Sequence, residues 1–318
     1  MMGSKNEDQK SNMSAMNTEL FYDLVDKGLH HQYMKNTLQL NTGMDNFIEI
    51  GEMASISYTD WSWCPLLFDM QNNGFKDLFV TNGMRRDVNN NDYNALFRVQ
   101  KAYGKVKPEE YGDWVKRMPS TPVPNFAFSN NGDLTFEKKT SAYGLSVEGF
   151  SNGASYADLD LDGDLDLVVN HLDMTSQVFE NKISTKSGSN YLRLKLKGKE
   201  DNSFGIGSKI WIYNNGEKQL VELQTTRGYE SSVEPIVHFG IGSHQKIDSI
   251  RVFWPKAGIQ TLYDIEANQL VEIKQESRNQ VQLIKEVNPK VLFSSAEPDL
   301  SPKFIHIEND FKDFQREV

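Results

Sequence analysis

The stretch DLDLDGDLDLVVN, residues 158–170, carries four carboxylates and a glycine at regular spacing. The carboxylates stand at positions 1, 3, 5 and 9 of this loop: Asp158, Asp160, Asp162 and Asp166. Such crowded carboxylates repel one another unless a cation lies among them, and oxygen ligands at alternate positions suit Ca²⁺. Gly163 supplies the sharp turn, and the carbonyl of Asp164 offers a further ligand. The stretch therefore predicts a calcium-binding loop.

Other interpretations of this stretch fit its residues less well. An EF-hand needs a bidentate Glu at position 12 and a helix on each side, whereas position 12 here is Val169, at the end of an apolar run typical of a buried strand. A calcium-sensing switch is disfavoured because it would also need hinged helices. The remaining alternative is an acidic solvated turn without an ion, although such a turn does not require alternate aspartates.

The acidic loop is one copy of a repeat. The same pattern occurs 89 residues upstream, where Asp69 aligns with Asp158. Other residues that match at this offset are Asn41 with Asn130, Gly43 with Gly132, Phe47 with Phe136, and Asp77 with Asp166. A third unit begins at residues 178–181, so the basic period is about 50 residues, which is typical of β-propeller blades. The longer first interval predicts an insertion.

These patterns divide the chain into segments. The predicted segments are a polar and helical lead-in at 1–35, the repeated units at 36–186 with a helical insertion at 84–124, a small all-β domain at 187–276, and a connector or further blade at 277–318. Within the all-β domain, Asn215-Gly216 predicts a type I′ hairpin. The motif FGIGS occurs twice there; it lacks the spacing of a phosphate-binding loop and is interpreted as turn glycines.

Composition excludes several classes of protein. The chain has 318 residues, of which 38% are hydrophobic, and a net charge of −10, which argues against nucleic acid as a partner. It has no apolar run of about 18 residues, so no membrane span is expected. The single cysteine, Cys64, excludes an internal disulfide framework and a cysteine-built zinc site, and it is predicted to be a buried, inert thiol.

No catalytic constellation stands out. The six histidines show no zinc-binding spacing and no partnered nucleophile. His171, just after the predicted strand, is the least improbable catalytic candidate, although a histidine at a strand end is usually structural. Trp61 and Trp63 alternate as on a strand with one buried face, so core packing is favoured over a ligand groove.

Two features together resemble a known family. The acidic loops with their upstream Asn-x-Gly and Phe resemble the FG-GAP/VCBS repeats of integrin-type β-propellers. Residues 190–275 resemble the ASPIC/UnbV domain of cartilage acidic protein-like, Bacteroidetes-type proteins, through these residues: Gly205, Gly207, Arg227-Gly228-Tyr229, His238-Phe239-Gly240-Ile241-Gly242 and Val252-x-Trp254-Pro255. The resemblance implies a mainly β chain, a partial integrin-type β-propeller with a helical insertion followed by the small all-β ASPIC/UnbV domain.

The resemblance also implies a function. It implies a calcium-stabilised binding or adhesion module that recognises a glycan or a protein without catalysis, located outside the cell, at its surface or in the periplasm. It implies structural Ca²⁺ at one or two sites. The loop at 158–166 is one site, and the first loop along the chain is the other, with these ligands: Asp69, Gln71, Asn73, Phe75 through its carbonyl, and Asp77. Fewer carboxylates predict weaker binding at this first loop.

Two expectations concern partners and activity. Two blades and a fragment cannot close a ring, so the open edges are expected to meet the rest of a larger propeller or another chain. We therefore expect a piece of a longer protein or a shortened member that assembles with others. The alternative function is a polysaccharide-active hydrolase or lyase built on a propeller scaffold, which would need two carboxylates held apart or a base near a cation.

Overall fold

β-Strands, nearly all paired antiparallel, are the main regular elements of the structure, a computed structural model that describes residues 18–29, 33, 35–44, 46–184, 188–199, 201–255 and 257–276. All of these residues belong to one compact unit. The predicted connector at 277–318 and most of the lead-in at 1–35 lie outside the described residues. Among the residues described, no helix combines the length and the apolar character needed to cross a membrane.

The few helices lie in the lead-in and in the insertion. They are α1 (Thr18–Asp26), α2 (Asn91–Ala102) and α3 (Tyr111–Arg117), with a 3₁₀ turn at Pro108–Glu110 before α3. Asn90 caps α2, because its side chain accepts a hydrogen bond from the backbone of Tyr93 at 2.9 Å. Phe97 of α2 packs edge-on against Trp114 of α3 at 5.5 Å between ring centroids. The segment predicted as a helical insertion, 84–124, thus contains two helices joined by aromatic contacts.

The part of the chain up to residue 184, here called the blade region, contains ten strands among its described residues. They are β1 (Gln39–Asn41), β2 (Phe47–Glu49), β3 (Ser62–Phe68), β4 (Asp77–Asn82), β5 (Val123–Pro124), β6 (Phe126–Asn130), β7 (Phe136–Lys138), β8 (Glu148–Ala157), β9 (Asp166–Leu172) and β10 (Gln177–Phe179). They form two four-stranded sheets, in the orders β3-β4-β6-β7 and β10-β9-β8-β5, and the small hairpin β1-β2. All pairs are antiparallel.

Each four-stranded sheet combines two successive repeats. In the first sheet, the hairpin β3-β4, which carries the loop from Asp69 to Asp77, pairs through β4 with β6, which leads into the next Asn-x-Gly turn. In the second sheet, the hairpin β8-β9 carries the loop from Asp158 to Asp166 and pairs with β10, just before Asn181. A repeat of the sequence is therefore shared between neighbouring sheets.

The two sheets bury their apolar residues against each other and against the chain before β3. β4 is buried at every position, and its residues alternate between two clusters: Phe79 faces the second sheet, whereas Leu78 and Val80 face Ile56. Cys64 is fully buried in the cluster between the sheets, as predicted. The acidic loops lie at the ends of these buried hairpins, and the packing fixes their position.

The second part, residues 188–276, is here called the β domain. It contains β11 (Asn190–Lys197), β12 (Lys209–Asn214), β13 (Glu217–Glu222), β14 (Ile236–Gly242), β15 (Lys246–Trp254), β16 (Gly258–Glu266) and β17 (Gln269–Lys274). Two sheets, β14-β11-β17 and β13-β12-β15-β16, enclose one apolar core. The predicted hairpin between β12 and β13 is confirmed, with positive φ at Asn215 and Gly216. β16, which the sequence analysis did not predict, pairs with β15 along its length.

The fold is mainly β, as predicted, but a propeller ring is not shown. The described residues of the blade region form two sheets with blade-like strand order, whose edge strands are β3 and β7 in the first sheet and β10 and β5 in the second. The propeller and its closure by other segments or chains stay predictions.

Candidate metal centre

The second acidic loop connects β8 to β9 and brings three carboxylates together. Asp158, Asp160 and Asp162 each offer an oxygen, and these oxygens lie within 4.8 Å of one another. Since Ca²⁺ binds oxygens at about 2.3–2.6 Å, two ligands on opposite sides of the ion are about 5 Å apart. These three residues therefore fit around one ion. Leu161 and Gly163 adopt positive φ, which turns the chain sharply enough to aim alternate side chains at a common centre.

Unsatisfied oxygens in the same loop are consistent with a cation. Asp158 is only 5% exposed, and its Oδ1 has no hydrogen-bond partner among the described residues. The Oδ1 of the buried Asp164 has none either. Burial raises the pKa of Asp158, an effect that the nearby Arg193 partly offsets. A buried carboxylate oxygen without a donor is costly, and a bound cation would remove that cost.

The other two predicted ligands of this loop brace it. Asp166 accepts hydrogen bonds from the backbone N–H groups of Leu159, at 2.9 Å, and Asn181, at 2.8 Å. The Oδ2 of Asp164 accepts from the backbone N–H of Ser184 at 3.0 Å, and the carbonyl of Asp164 stays the predicted ligand. Burial raises the pKa of Asp164 to about 6.

In the first loop, N–H donors of the protein surround the acidic side chains. Asp69 accepts from the backbone N–H groups of Gln71 at 3.1 Å, Asn73 at 3.2 Å and Gly74 at 2.7 Å. Asp77 accepts from the backbone of Met70 at 2.9 Å and from the side-chain amide of Gln71 at 3.3 Å.

These donors make the first loop a poorer fit for an ion than the second. The Oδ1 of Asn73 accepts from the N–H of Phe75, at 2.9 Å. The first loop holds only two carboxylates in its ligand set, and both already accept several hydrogen bonds. Weaker binding at this loop remains the expectation.

One asparagine in each following repeat holds the acidic loop before it. Asn130 donates its backbone N–H to Asp77 at 2.9 Å and its side-chain amide to the carbonyl of Lys76 at 3.0 Å. Asn181 repeats the arrangement on the second loop, with a backbone hydrogen bond to Asp166 and an amide hydrogen bond to the carbonyl of Leu165 at 3.3 Å. The repeated Asn in the sequence therefore has a structural role that the sequence analysis did not assign.

The β domain lies directly on both acidic loops. The guanidinium of Arg193, on β11, donates to Asp158 Oδ2 and to Glu234 Oε1, each at 2.6 Å. Asn72 of the first loop donates its side-chain amide to the carbonyl of Gly163 at 3.0 Å, and its Oδ1 lies 2.7 Å from His238 Nε2. Asn72 therefore links the two loops to each other and to β14.

Two close approaches show how tightly this interface packs. A Cβ on Gly240 would lie 2.1 Å from Asp69 Oδ2, and a Cβ on Gly163 would lie 1.7 Å from the ring of Tyr191. Real Cβ atoms do not come so near, so glycine is needed at both positions.

The β domain is similar to a known protein family. Residues 198–280 match the family model described as ASPIC and UnbV. Three motif residues that carried the resemblance, Gly228, His238 and Gly240, contact the blade region. His238 and Gly240 pack against the first acidic loop, and Gly228 packs against Cys64 on β3.

Curated relatives are similar over a longer part of the chain. Cartilage acidic protein 1 of Mus musculus is 27% identical over 146 residues, 45% of this chain and 22% of that protein. The protein of the same name from Xenopus tropicalis is 31% identical over 132 residues (40% and 20%), and that from Homo sapiens is 29% identical over 149 residues (45% and 22%). The chain thus spans about a fifth of the length of these relatives.

The catalytic candidate is enclosed. His171 is 6% exposed, and its ring nitrogens lie 3.0 Å from Ser151 Oγ and 2.9 Å from Gln177 Oε1. Ser151 is itself buried. Trp63, also considered as a groove residue, packs against Tyr229 of the β domain with the rings tilted by 59° and their centroids 4.8 Å apart. These contacts assign His171 and Trp63 to packing.

Proposed function

We propose that this chain is a calcium-stabilised binding module of a larger extracellular or cell-surface protein, and that it recognises a glycan or a protein without catalysing a reaction. The ASPIC/UnbV match and the relatives named cartilage acidic protein 1 support a binding protein outside the cell. None of the three relatives carries the name of an enzyme. The observation that carries the calcium part is the convergence of Asp158, Asp160 and Asp162.

The residues at the proposed site have different roles. Asp158, Asp160 and Asp162 would hold Ca²⁺, with the carbonyl of Asp164 as a further ligand. When bound, the ion supplies positive charge that offsets the repulsion between these carboxylates. Arg193 holds Asp158 in place from the other side, so the position of the ligand depends on the docked β domain.

This arrangement links ion binding to the interface. An ion that binds only the docked arrangement stabilises it by mass action, by about 2.7 kcal/mol when its free concentration is 100 times its Kd. Calcium is therefore proposed to stabilise the contact between the blade region and the β domain and to keep the surface that they share in one conformation.

The test is a calcium titration that reads stability and binding on the same sample. Calcium should raise the melting temperature of the chelator-treated protein, and Tb³⁺ should show luminescence sensitised by Tyr191, whose ring packs against Gly163 in the loop. Asp160→Asn should weaken Tb³⁺ binding about tenfold or more, because it removes one charged ligand. Asp113→Asn, an exposed change on α3, is the matched control and should have no effect.

Two outcomes would count against the proposal. An unchanged melting temperature on addition of calcium would refute the structural ion. Cleavage of a polysaccharide in a glycan panel would favour the enzyme instead, and retained cleavage in chelator would separate that activity from the metal.

A further inference from the structure

A cleft of about 390 Å³ lies between the blade region and the β domain. Its walls include Phe68 and Tyr156 on one side, whose rings stack at 4.5 Å, and Arg227 and His238 on the other. Lys76, from the first acidic loop, reaches the same cleft. A volume of this size is typical of small-ligand sites, and sites between domains are common.

Two cations in the cleft have no ion pair. No carboxylate oxygen of the described residues lies within 4.0 Å of the ammonium of Lys76 or the guanidinium of Arg227. Arg227 donates one hydrogen bond, to the carbonyl of Glu222 at 3.2 Å, and its buried Nε has no partner. Lys76 and Arg227 line the same cleft, and like charges on the walls of one cleft repel each other. An anion between them would relieve both costs.

His238 lines the cleft and carries an unpaired hydrogen-bond acceptor. Because the amide of Asn72 donates to a carbonyl, its Oδ1 is an acceptor, and His238 Nε2 must carry the hydrogen. Burial keeps the pKa of His238 well below its usual value, so the ring is neutral and Nδ1 is a lone-pair acceptor. This Nδ1 is buried and has no partner among the described residues. A ligand hydroxyl would satisfy it.

The carboxylates that line the cleft already have partners. Asp69 accepts three backbone N–H groups, Glu234 pairs with Arg193, and Glu222 accepts from Gln224 at 2.9 Å. The cleft therefore presents two cations without an ion pair, Lys76 and Arg227, and the unpaired acceptor His238 Nδ1, beside an aromatic wall.

We propose that this cleft binds a sugar bearing an acidic group, a carboxylate or a sulfate. The oxyanion lies between Lys76 and Arg227, a hydroxyl donates to His238 Nδ1, and the sugar ring lies against Tyr156. The proposal rests on the binding role proposed above, whose ligand class it specifies, and it does not use the proposed calcium ligands Asp158, Asp160 and Asp162.

Calorimetric titration of the full chain in calcium tests the proposal. The probes are glucuronate, a monosulfated galactose and neutral glucose. At least one acidic sugar should bind, and glucose should not. Lys76→Gln and Arg227→Gln should each weaken binding about tenfold or more, the effect of losing one charge-assisted hydrogen bond. Lys218→Gln, on the exposed β13, is the matched control and should bind like the unmodified protein.

Each result decides the proposal. Equal binding of glucose, no binding of either acidic sugar, or variants that bind like the control would overturn it. Arg227→Lys keeps the charge but loses Nε, so it should bind more weakly than the unmodified protein and more tightly than Arg227→Gln. The calcium-dependent melting temperature, measured on every variant, reports folding and the calcium site separately. A normal calcium response without acidic-sugar binding would refute the cleft and leave the calcium proposal intact.

Discussion

Replacing Arg193 with methionine should strongly destabilise the contact between the blade region and the β domain. Arg193 is 4% exposed, and its two hydrogen bonds of 2.6 Å join Asp158, whose side chain is 1% exposed, to Glu234. Removing one partner of a buried ion pair costs about 3–5 kcal/mol, because the remaining charge is left uncompensated. Methionine keeps much of the aliphatic packing, so the loss reports the charge.

The assay is urea or thermal unfolding in chelator. For a protein of this size, about 3–5 kcal/mol lowers the melting temperature by roughly 6–20 °C. Arg251→Met, an exposed position on β15 where the guanidinium lies 5.0 Å from the ring centroid of Tyr213, is the control and should cost less than about 1 kcal/mol.

A double variant separates charge from shape. In Arg193→Met with Asp158→Asn, the stranded carboxylate is gone, and at least about 1 kcal/mol of the loss should return. Glu234, which is 28% exposed, can be solvated without its partner. If the single variant costs no more than Arg251→Met, or if the double variant is simply additive, then the ion pair does not hold the two parts together.

Two further predictions address the loops themselves. Gly163→Ala should cost about 2–5 kcal/mol, because the new Cβ meets the ring of Tyr191 at a residue with φ of +93°; unfolding curves that match the unmodified protein would exclude this contact. In chelator, stability should fall as the pH rises from about 4 to 6. Burial raises the pKa of Asp77 and Asp164 to about 6 from 3.8, so their protonated forms favour the folded state until the pH passes the folded pKa. Calcium, which requires ionised ligands, should oppose this fall, and parallel pH profiles with and without calcium would refute the link.

Local chemistry predicted a good part of what the structure contains. The alternate aspartates at 158–162 converge because one tight turn with two positive-φ residues suffices to bring them together. The Asn215-Gly216 hairpin follows in the same way from the backbone preferences of two adjacent residues. The buried strand after each acidic loop follows from a continuous apolar run. Ligand sites and turns of this kind depend on neighbours a few residues away.

The sequence by itself thus determined the mainly β class, the repeat and the likeness of the acidic loops to each other. Only the tertiary structure decided that Arg193 faces Asp158, 35 positions away along the chain, and that His238 faces Asn72, 166 positions away. Only the fold placed Lys76 and Arg227 in one cleft. Periodicity and turn preferences depend on each residue's neighbours along the chain. Contacts across such long separations depend on how whole sheets pack together. In that packing, paired buried charges and close contacts at glycine determine which surfaces meet.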